Sequence, residues 1–241
     1  MTIFLASVSS MQEASTILAV GADIIDIKNP LKGALGAVDP EITKKIVQQV
    51  SGRAMTSATI GDLPMEAACI SSAIDIMQAT GVDIIKVGVF DNSVSTDVLQ
   101  VIEAYTDKEC RIVLVYFADL KPQLEGFSVL AEAGVYGVML DTADKTKGSL
   151  RTIINDDTLE NFVGQAQSSG LLTGLAGSLK LADIQPLLKL KPDYLGFRSA
   201  LCDKHQRNNT LDIQAAHNVR AMIPVHEYDQ CKDQNLLLSM N

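Results

Sequence analysis

Eight short apolar runs, each followed by a stretch of helical periodicity, constrain this chain more than any other feature. The runs cover residues 3–7, 22–28, 54–60, 83–89, 111–117, 137–141, 171–177 and 194–200. Most are apolar on nearly every residue rather than on alternate ones, as strands buried on both faces are. The first intervening segment carries a capping box, Ser10-x-x-Glu13, sets Ala14, Ile17 and Leu18 on one face, and stops at Gly21. The second opens with Asp39-Pro40-Glu41 and groups Ile42, Ile46 and Val47. Later helices are predicted over 66–79, 94–104, 121–133, 158–168, 180–188 and 211–222.

A weak repeat supports this alternation. Gly21-Ala-Asp-Ile-Ile, Gly81-Val-Asp-Ile-Ile and Gly134-Val-Tyr-Gly-Val each lead from a helix end into a strand, and Lys191-Pro-Asp-Tyr-Leu does so without the glycine. Eight such units predict an α/β chain with a single (β/α)8 TIM barrel over residues 1–223, because barrels of this kind need about 250 residues. The stretch 224–241, ending in Leu236-Leu-Leu-Ser-Met, reads as a short C-terminal extension, loosely ordered or docked on a neighbouring subunit.

Composition narrows the function classes. Apolar residues make up 47% of the chain and aromatics only 5%, so Ile, Val, Leu and Ala must fill the core, which suits covered parallel strands. A net charge of −9 argues against a broad nucleic-acid or anionic-membrane surface. Cys69, Cys110, Cys202 and Cys231 are scattered, with neither CxxC nor zinc-like spacing to histidine, and read as reduced thiols. The N-terminus has no basic lead before its apolar residues, and no run approaches the roughly 18 apolar residues of a membrane helix. A cytoplasmic protein is the expectation. The first strand is not followed by GxGxxG, which disfavours a dinucleotide-dependent oxidoreductase.

Charge stands where it is expensive. Lys28 ends the second run, Lys86 sits inside the fourth, and Asp141 closes the sixth. Period-two alternation puts Asp26 and Lys28 on one face, and outer faces covered by helices tolerate no charge, so both should point into the barrel. Aligning the repeats sets Lys86 level with Asp26, and Lys145 follows Asp141 in its loop. A lysine desolvated among apolar walls and other cations loses proton affinity and becomes a nucleophile near neutral pH. Two lysines and a carboxylate meeting at the C-terminal rim would suit imine chemistry on a carbonyl substrate. The competing reading is a structural ion-pair network without catalysis.

Phosphate is the second theme. TIM barrels often hold it in the loops after the last two strands. Here Gly177, Ser178, Ser199 and Ala200 offer backbone amides and Arg198 offers charge, although each also fits an ordinary strand-to-helix turn. Asn29-Pro30 and the Gly33-Ala-Leu-Gly36 loop could wrap a substrate, Ser57 and Thr59 could line the pocket, and Asp62 reads as a cap or loop residue. His205 and Arg207-Asn-Asn209 could close over a ligand, whereas His217 and His226 are poorly placed as bases.

Taken together, Asp23-Ile-Ile-Asp-Ile-Lys-Asn-Pro30 with Gly33-x-Leu-Gly36, Ser57-Ala-Thr-x-Gly-Asp62, Ile85-Lys-Val-Gly88, Met139-Leu-Asp-Thr-Ala143, Leu175-Ala-Gly-Ser-x-Lys180 and Arg207-Asn-Asn209 resemble the (5-formylfuran-3-yl)methyl phosphate synthase family, over roughly residues 1–222. It is also called the 4-(hydroxymethyl)-2-furancarboxaldehyde-phosphate synthase family. The resemblance implies a TIM barrel that joins two molecules of glyceraldehyde 3-phosphate into a phosphorylated furan aldehyde on the way to a methanofuran-type cofactor. It implies Lys28 as the Schiff-base lysine, Lys86 as the proton acceptor, and Asp141 with Lys145 as the pair that completes the site. Asp26, Gly177, Ser178, Arg198, Ser199 and Ala200 are the expected substrate and phosphate contacts. No metal, nicotinamide or flavin is implied, since the reaction has no net redox step. The partner implied is a small phosphorylated triose, with no nucleic acid and no membrane, and a homo-oligomer is expected. Where the family's last loop is glycine-rich before Arg-Asn-Asn, this chain reads Cys202-Asp-Lys-His-Gln. Two rivals stand beside this reading, a different lysine-dependent triose- or deoxyribose-phosphate aldolase and a non-catalytic phosphometabolite-binding barrel.

Overall fold

The computed structural model describes residues 1–224. All eight strands form: β1 (Ile3–Val8), β2 (Ile24–Ile27), β3 (Met55–Thr59), β4 (Ile84–Val89), β5 (Ile112–Phe117), β6 (Gly137–Asp141), β7 (Leu172–Leu175) and β8 (Tyr194–Phe197). They pair in parallel in chain order, and β8 returns to β1 to close the barrel. Around it lie α1 (Met11–Val20), α2 (Pro40–Val50), α3 (Ala67–Gln78), α4 (Thr96–Thr106), α5 (Phe127–Glu132), α6 (Leu150–Ile153), α7 (Asp156–Ser168), α8 (Leu181–Lys189) and α9 (Ile213–Met222). No helix among the described residues is long and apolar enough to cross a membrane. The expected C-terminal extension lies, beyond Pro224, outside the described residues, and His226 and Cys231 lie there with it.

Strand alternation divides the core into two regions. Phe4, Ala6, Ile25, Ile27, Val87 and Leu114 face the helices, while Leu5, Ile24, Ile84, Val113, Met139 and Tyr194 fill the lumen. Register stacks the lumen into layers. Asp26 pairs with Ser57 and Ser57 with Ile84, and a strand tilt of about 36° makes the β4 residue at the height of Asp26 the one two positions on, Lys86. The same step leads from Lys86 to Met139, from Met139 to Gly196, and from Gly196 back to Asp26. The next layer towards the C-terminal rim is Lys28, Gly88, Asp141 and Arg198. Lower down, a Cβ on Gly174 would stand 2.1 Å from Cε2 of Tyr194, so glycine there makes room for the ring.

The weak repeat has a physical basis at the opposite end. Asp23, Asp83 and Asp193 open β2, β4 and β8, and each accepts a backbone N–H from the preceding odd strand: Phe4, Thr56 and Thr173, all at 2.7 Å. The hydroxyls of Thr56 and Thr173 donate to the same carboxylates at 2.6 and 2.8 Å. Tyr136 stands where the fourth aspartate would be, with the Arg111 guanidinium 5.5 Å from its ring centre.

Several expectations are corrected. Ile42 is 41% exposed, because the face that α2 packs on the barrel runs through Thr43, Ile46 and Val50. Ser10 caps α1, but the Glu13 carboxylate passes Ser10 and takes the Ser9 N–H at 2.7 Å, so only half of the capping box closes. The helix expected over 121–133 begins at Phe127. Pro122 disfavours the helical region for Lys121, which adopts φ 53°, and Gly126 turns the chain at φ 75°. Strands β7 and β8 end two and three residues early, because Gly177 and Ser178 take left-handed backbone and Ser199–Leu201 forms a 3-10 turn.

Removing one basal carboxylate should cost stability and leave the rim intact. Asp83→Ala is expected to lower the unfolding free energy in urea by about 1–2 kcal/mol, the scale of two partly exposed charge-assisted hydrogen bonds. Its secondary structure content should not change.

Candidate active site

The site is built where the even strands end. Asp26 is fully buried on β2, and every oxygen has a donor: Ser7 Oγ to Oδ2 at 2.7 Å, Ser57 Oγ to Oδ1 at 2.7 Å, and Lys86 Nζ to Oδ1 at 2.6 Å. Met139 Sδ lies 3.9 Å from Lys86 Nζ on the other side. Burial opposes the negative charge of Asp26, but Lys86 and Lys28 outweigh it and hold the carboxyl below its ordinary range.

One layer up, Lys28 follows β2 with its N–H on the Val8 carbonyl at 2.9 Å, and only 7% of the residue is exposed. Its Nζ lies 3.7 Å from Asp141 Oδ2. The other Asp141 oxygen is taken by Lys145 Nζ at 2.5 Å and the Thr142 N–H at 2.7 Å. Lys145 also donates to the Thr142 carbonyl. Burial raises Asp141, yet Lys145 and Lys28 overcome it and keep the carboxyl ionised far below the usual carboxylate range. For Lys28, burial is the largest influence. Asp141 and Asp26 partly offset it, Lys145 and Lys86 reinforce it, and the ammonium falls from 10.5 to about 8. At pH 7 about one amine in ten is then neutral, roughly 300-fold more than for a solvated lysine.

Loops after the odd strands fasten those after the even ones. Asp62 accepts from the Ala34 and Leu35 N–H groups at 2.8 and 2.6 Å, which pins the loop beyond Lys28. Asp119 accepts from Ala143 and Asp144 at 2.7 and 2.8 Å, which pins the loop that carries Lys145. Sequence reading left Asp62 as a cap or loop residue and passed over Asp119. The signal was present, since both stand two residues beyond an expected strand end. It also passed over Ser7, whose inward direction follows from the alternation of β1.

The phosphate expectations divide. The backbone N–H groups of Gly177, Ser178, Ser199 and Ala200 have no intramolecular acceptor among the described residues. Arg198 differs from the expectation of a free cation. Its five N–H donors are engaged by the Arg207, Ser7 and Asn209 carbonyls and by both oxygens of Glu13, the latter at 2.7 and 3.0 Å. It acts as a strut between β8 and α1. Lys28, Asp141, Lys145, Gly177, Ser178, Ser199 and Arg207 line a crevice of about 30 Å³, and an adjoining cleft of about 620 Å³ shares Lys145, Ser178, Ser199 and Arg207. Among the described residues no group of three or more His, Cys, Asp or Glu is placed to hold a metal ion.

The family model described as 4-HFC-P synthase matches residues 4–220. The chain belongs to that family. It is 42% identical to a provisionally named (5-formylfuran-3-yl)methyl phosphate synthase of Methylorubrum extorquens, over 90% of each chain. It is 34% identical to the (5-formylfuran-3-yl)methyl phosphate synthase of Methanosarcina barkeri, over 84% of this chain and 92% of that one. The crystal structure of 3-hexulose-6-phosphate synthase superposes with a TM-score of 0.65 at 16% identity, over 92% of this chain and all of the other, and so shares the fold. Membership makes this a synthase-family enzyme.

The position of Lys28 has a thermodynamic consequence. Its value is depressed in the folded chain, so the unfolded state binds more protons between pH 8 and 10.5 and this group's contribution to stability rises with pH across that window. Holding Lys28 protonated at pH 7 costs about 3 kcal/mol. Lys28→Met is therefore expected to unfold at higher urea than the parent at pH 7, with the gap closing between pH 8 and 10.5. A variant less stable at pH 7 would mean that Lys28 is favourably paired.

Proposed function

We propose that this chain condenses two molecules of glyceraldehyde 3-phosphate into (5-formylfuran-3-yl)methyl phosphate through an imine on Lys28. The observation that carries the reading is the Lys28 amine itself, buried at the barrel mouth 3.7 Å from a carboxylate that Lys145 already occupies, with a value near 8. The names of the relatives and the family supply the product.

Neutral Lys28 adds to the carbonyl of one triose phosphate and water leaves, giving an iminium whose positive nitrogen acidifies the adjacent carbon. Lys86, gripped by Asp26 one layer below, takes or relays that proton. The resulting enamine forms a carbon–carbon bond to the aldehyde of the second triose. Ring closure and elimination follow, and the imine is released. Overall, one phosphate and two waters depart, so atoms balance without an oxidant and the enzyme is a carbon–oxygen lyase. Asp141 moves protons at the rim, and Lys145 meets the charge that develops on the departing phosphate. The unpartnered amides of Gly177, Ser178, Ser199 and Ala200 hold substrate phosphate. Asp26 contributes by orienting Lys86, since its own oxygens are fully engaged.

Borohydride reduction with glyceraldehyde 3-phosphate, followed by peptide mass spectrometry, is expected to leave a stable adduct on Lys28, and the untrapped reaction should yield an ultraviolet-absorbing furan aldehyde. Lys28→Arg keeps a cation but no usable amine, and its turnover should fall by roughly a thousandfold or more. Trapping at another lysine, or full activity in Lys28→Arg, would refute the assignment.

A further inference from the structure

The crevice over Lys28 is too small for the proposed substrate. About 30 Å³ is room for roughly one water molecule, whereas a triose phosphate needs several times that space. The adjoining cleft of about 620 Å³ is of ordinary ligand size. Arg207 lines both, as Lys145, Ser178 and Ser199 do.

Two arginines line the crevice and differ in what they have left to give. Arg198 has all five donors engaged within the protein. Arg207 makes one hydrogen bond, from Nη2 to the Gly33 carbonyl at 2.9 Å. Its Nε is buried with no acceptor, and among the described residues no carboxylate lies within ion-pair distance. Burial pulls the guanidinium below its ordinary value. A half-buried guanidinium with a buried unmet donor is better satisfied once an anion meets it, and the planar fork matches two phosphate oxygens. The backbone that carries it is held by Arg198 through the Arg207 and Asn209 carbonyls, so the long side chain is what has to turn, away from an anchor that is itself fixed. The Gly33 loop is pinned by Asp62.

We propose that Arg207 is the residue that reads the phosphate of the triose bound over Lys28, and that it leaves the Gly33 carbonyl to do so, joining crevice and cleft into one chamber. This rests on the proposed triose-phosphate chemistry. An aldehyde without phosphate offers nothing to draw Arg207 away, so the crevice stays closed around the reactive amine. Arg207 is thus a specificity determinant as well as a binding group.

The test uses the full chain, with Arg207→Ala and Arg207→Gln beside the parent. Calorimetry with glycerol 3-phosphate, which has no carbonyl, reads the phosphate contact without any imine. Both variants should bind it roughly 10–100-fold more weakly, as loss of a charge-assisted contact implies, and Arg207→Lys should recover part of the loss. Borohydride trapping then compares glyceraldehyde 3-phosphate with glyceraldehyde. The parent should strongly prefer the phosphorylated aldehyde. In the variants that preference should shrink, because trapping of glyceraldehyde is maintained or rises. Unchanged affinity for glycerol 3-phosphate overturns the proposal, and so does a loss of trapping by the same factor for both aldehydes, which is what a merely structural role would give. If no Lys28 adduct forms even in the parent, the imine reading fails, and the calorimetric comparison still decides Arg207.

Discussion

Three lysines and two aspartates meet at the top of the lumen, and that imbalance governs the chemistry of the site. Asp26 is committed to Lys86 and two serine hydroxyls, and Asp141 to Lys145 and a backbone N–H. Lys28 is the remaining cation, 3.7 Å from a carboxylate already claimed. In a polar surface cluster the difference would be absorbed by water. Inside a closed barrel no water takes it up, and burial, the largest influence, depresses the proton affinity of the least well paired group. A structural network would be expected to balance its charges and shorten its contacts, because buried charges without close partners destabilise a fold. The surplus cation instead marks this cluster as one arranged for reactivity at the expense of stability.

The two ends of the barrel use the same residue type for opposite purposes. At the strand starts, Asp23, Asp83 and Asp193 stitch neighbouring strands by accepting main-chain N–H groups and carry no chemistry. At the strand ends, Asp26 and Asp141 take lysines, while Asp62 and Asp119 fasten the loops from which those lysines and Arg207 are held in place. Separation of stabilising and reactive ends is the general logic of this fold.

Much of this was legible from residue patterns. Strand number and order followed from the alternating runs, and the inward direction of Asp26, Lys28 and Lys86 followed from period two, since a charged residue on a helix-covered face has no partner. The patterns failed where period two ends. Beyond Phe197 the chain leaves the ladder, so alternation no longer says where Arg198 points, and its pairing with Glu13 depends on a residue 185 positions away in sequence. Glu13 itself carried the signature of a helix cap, which local sequence cannot distinguish from a carboxylate aimed at the end of the neighbouring strand β8. The first six residues of the helix expected over 121–133 failed to form for a local reason that could have been read, the pairing of Pro122 with Gly126.

The charge balance also bears on how an anionic substrate can approach a lysine that must stay neutral. A phosphate dianion brought close to Lys28 with no companion would raise its proton affinity, as Asp141 already does, and would quench the nucleophile. A guanidinium travelling with the phosphate cancels one of its two charges. Arg207 is a cation at the rim with donors to spare, and it adjoins Lys28, Lys145 and the open amides of Ser178 and Ser199 in one crevice. Substrate capture through Arg207 therefore halves the negative charge brought beside Lys28, and the amine keeps more of the character that its burial gave it.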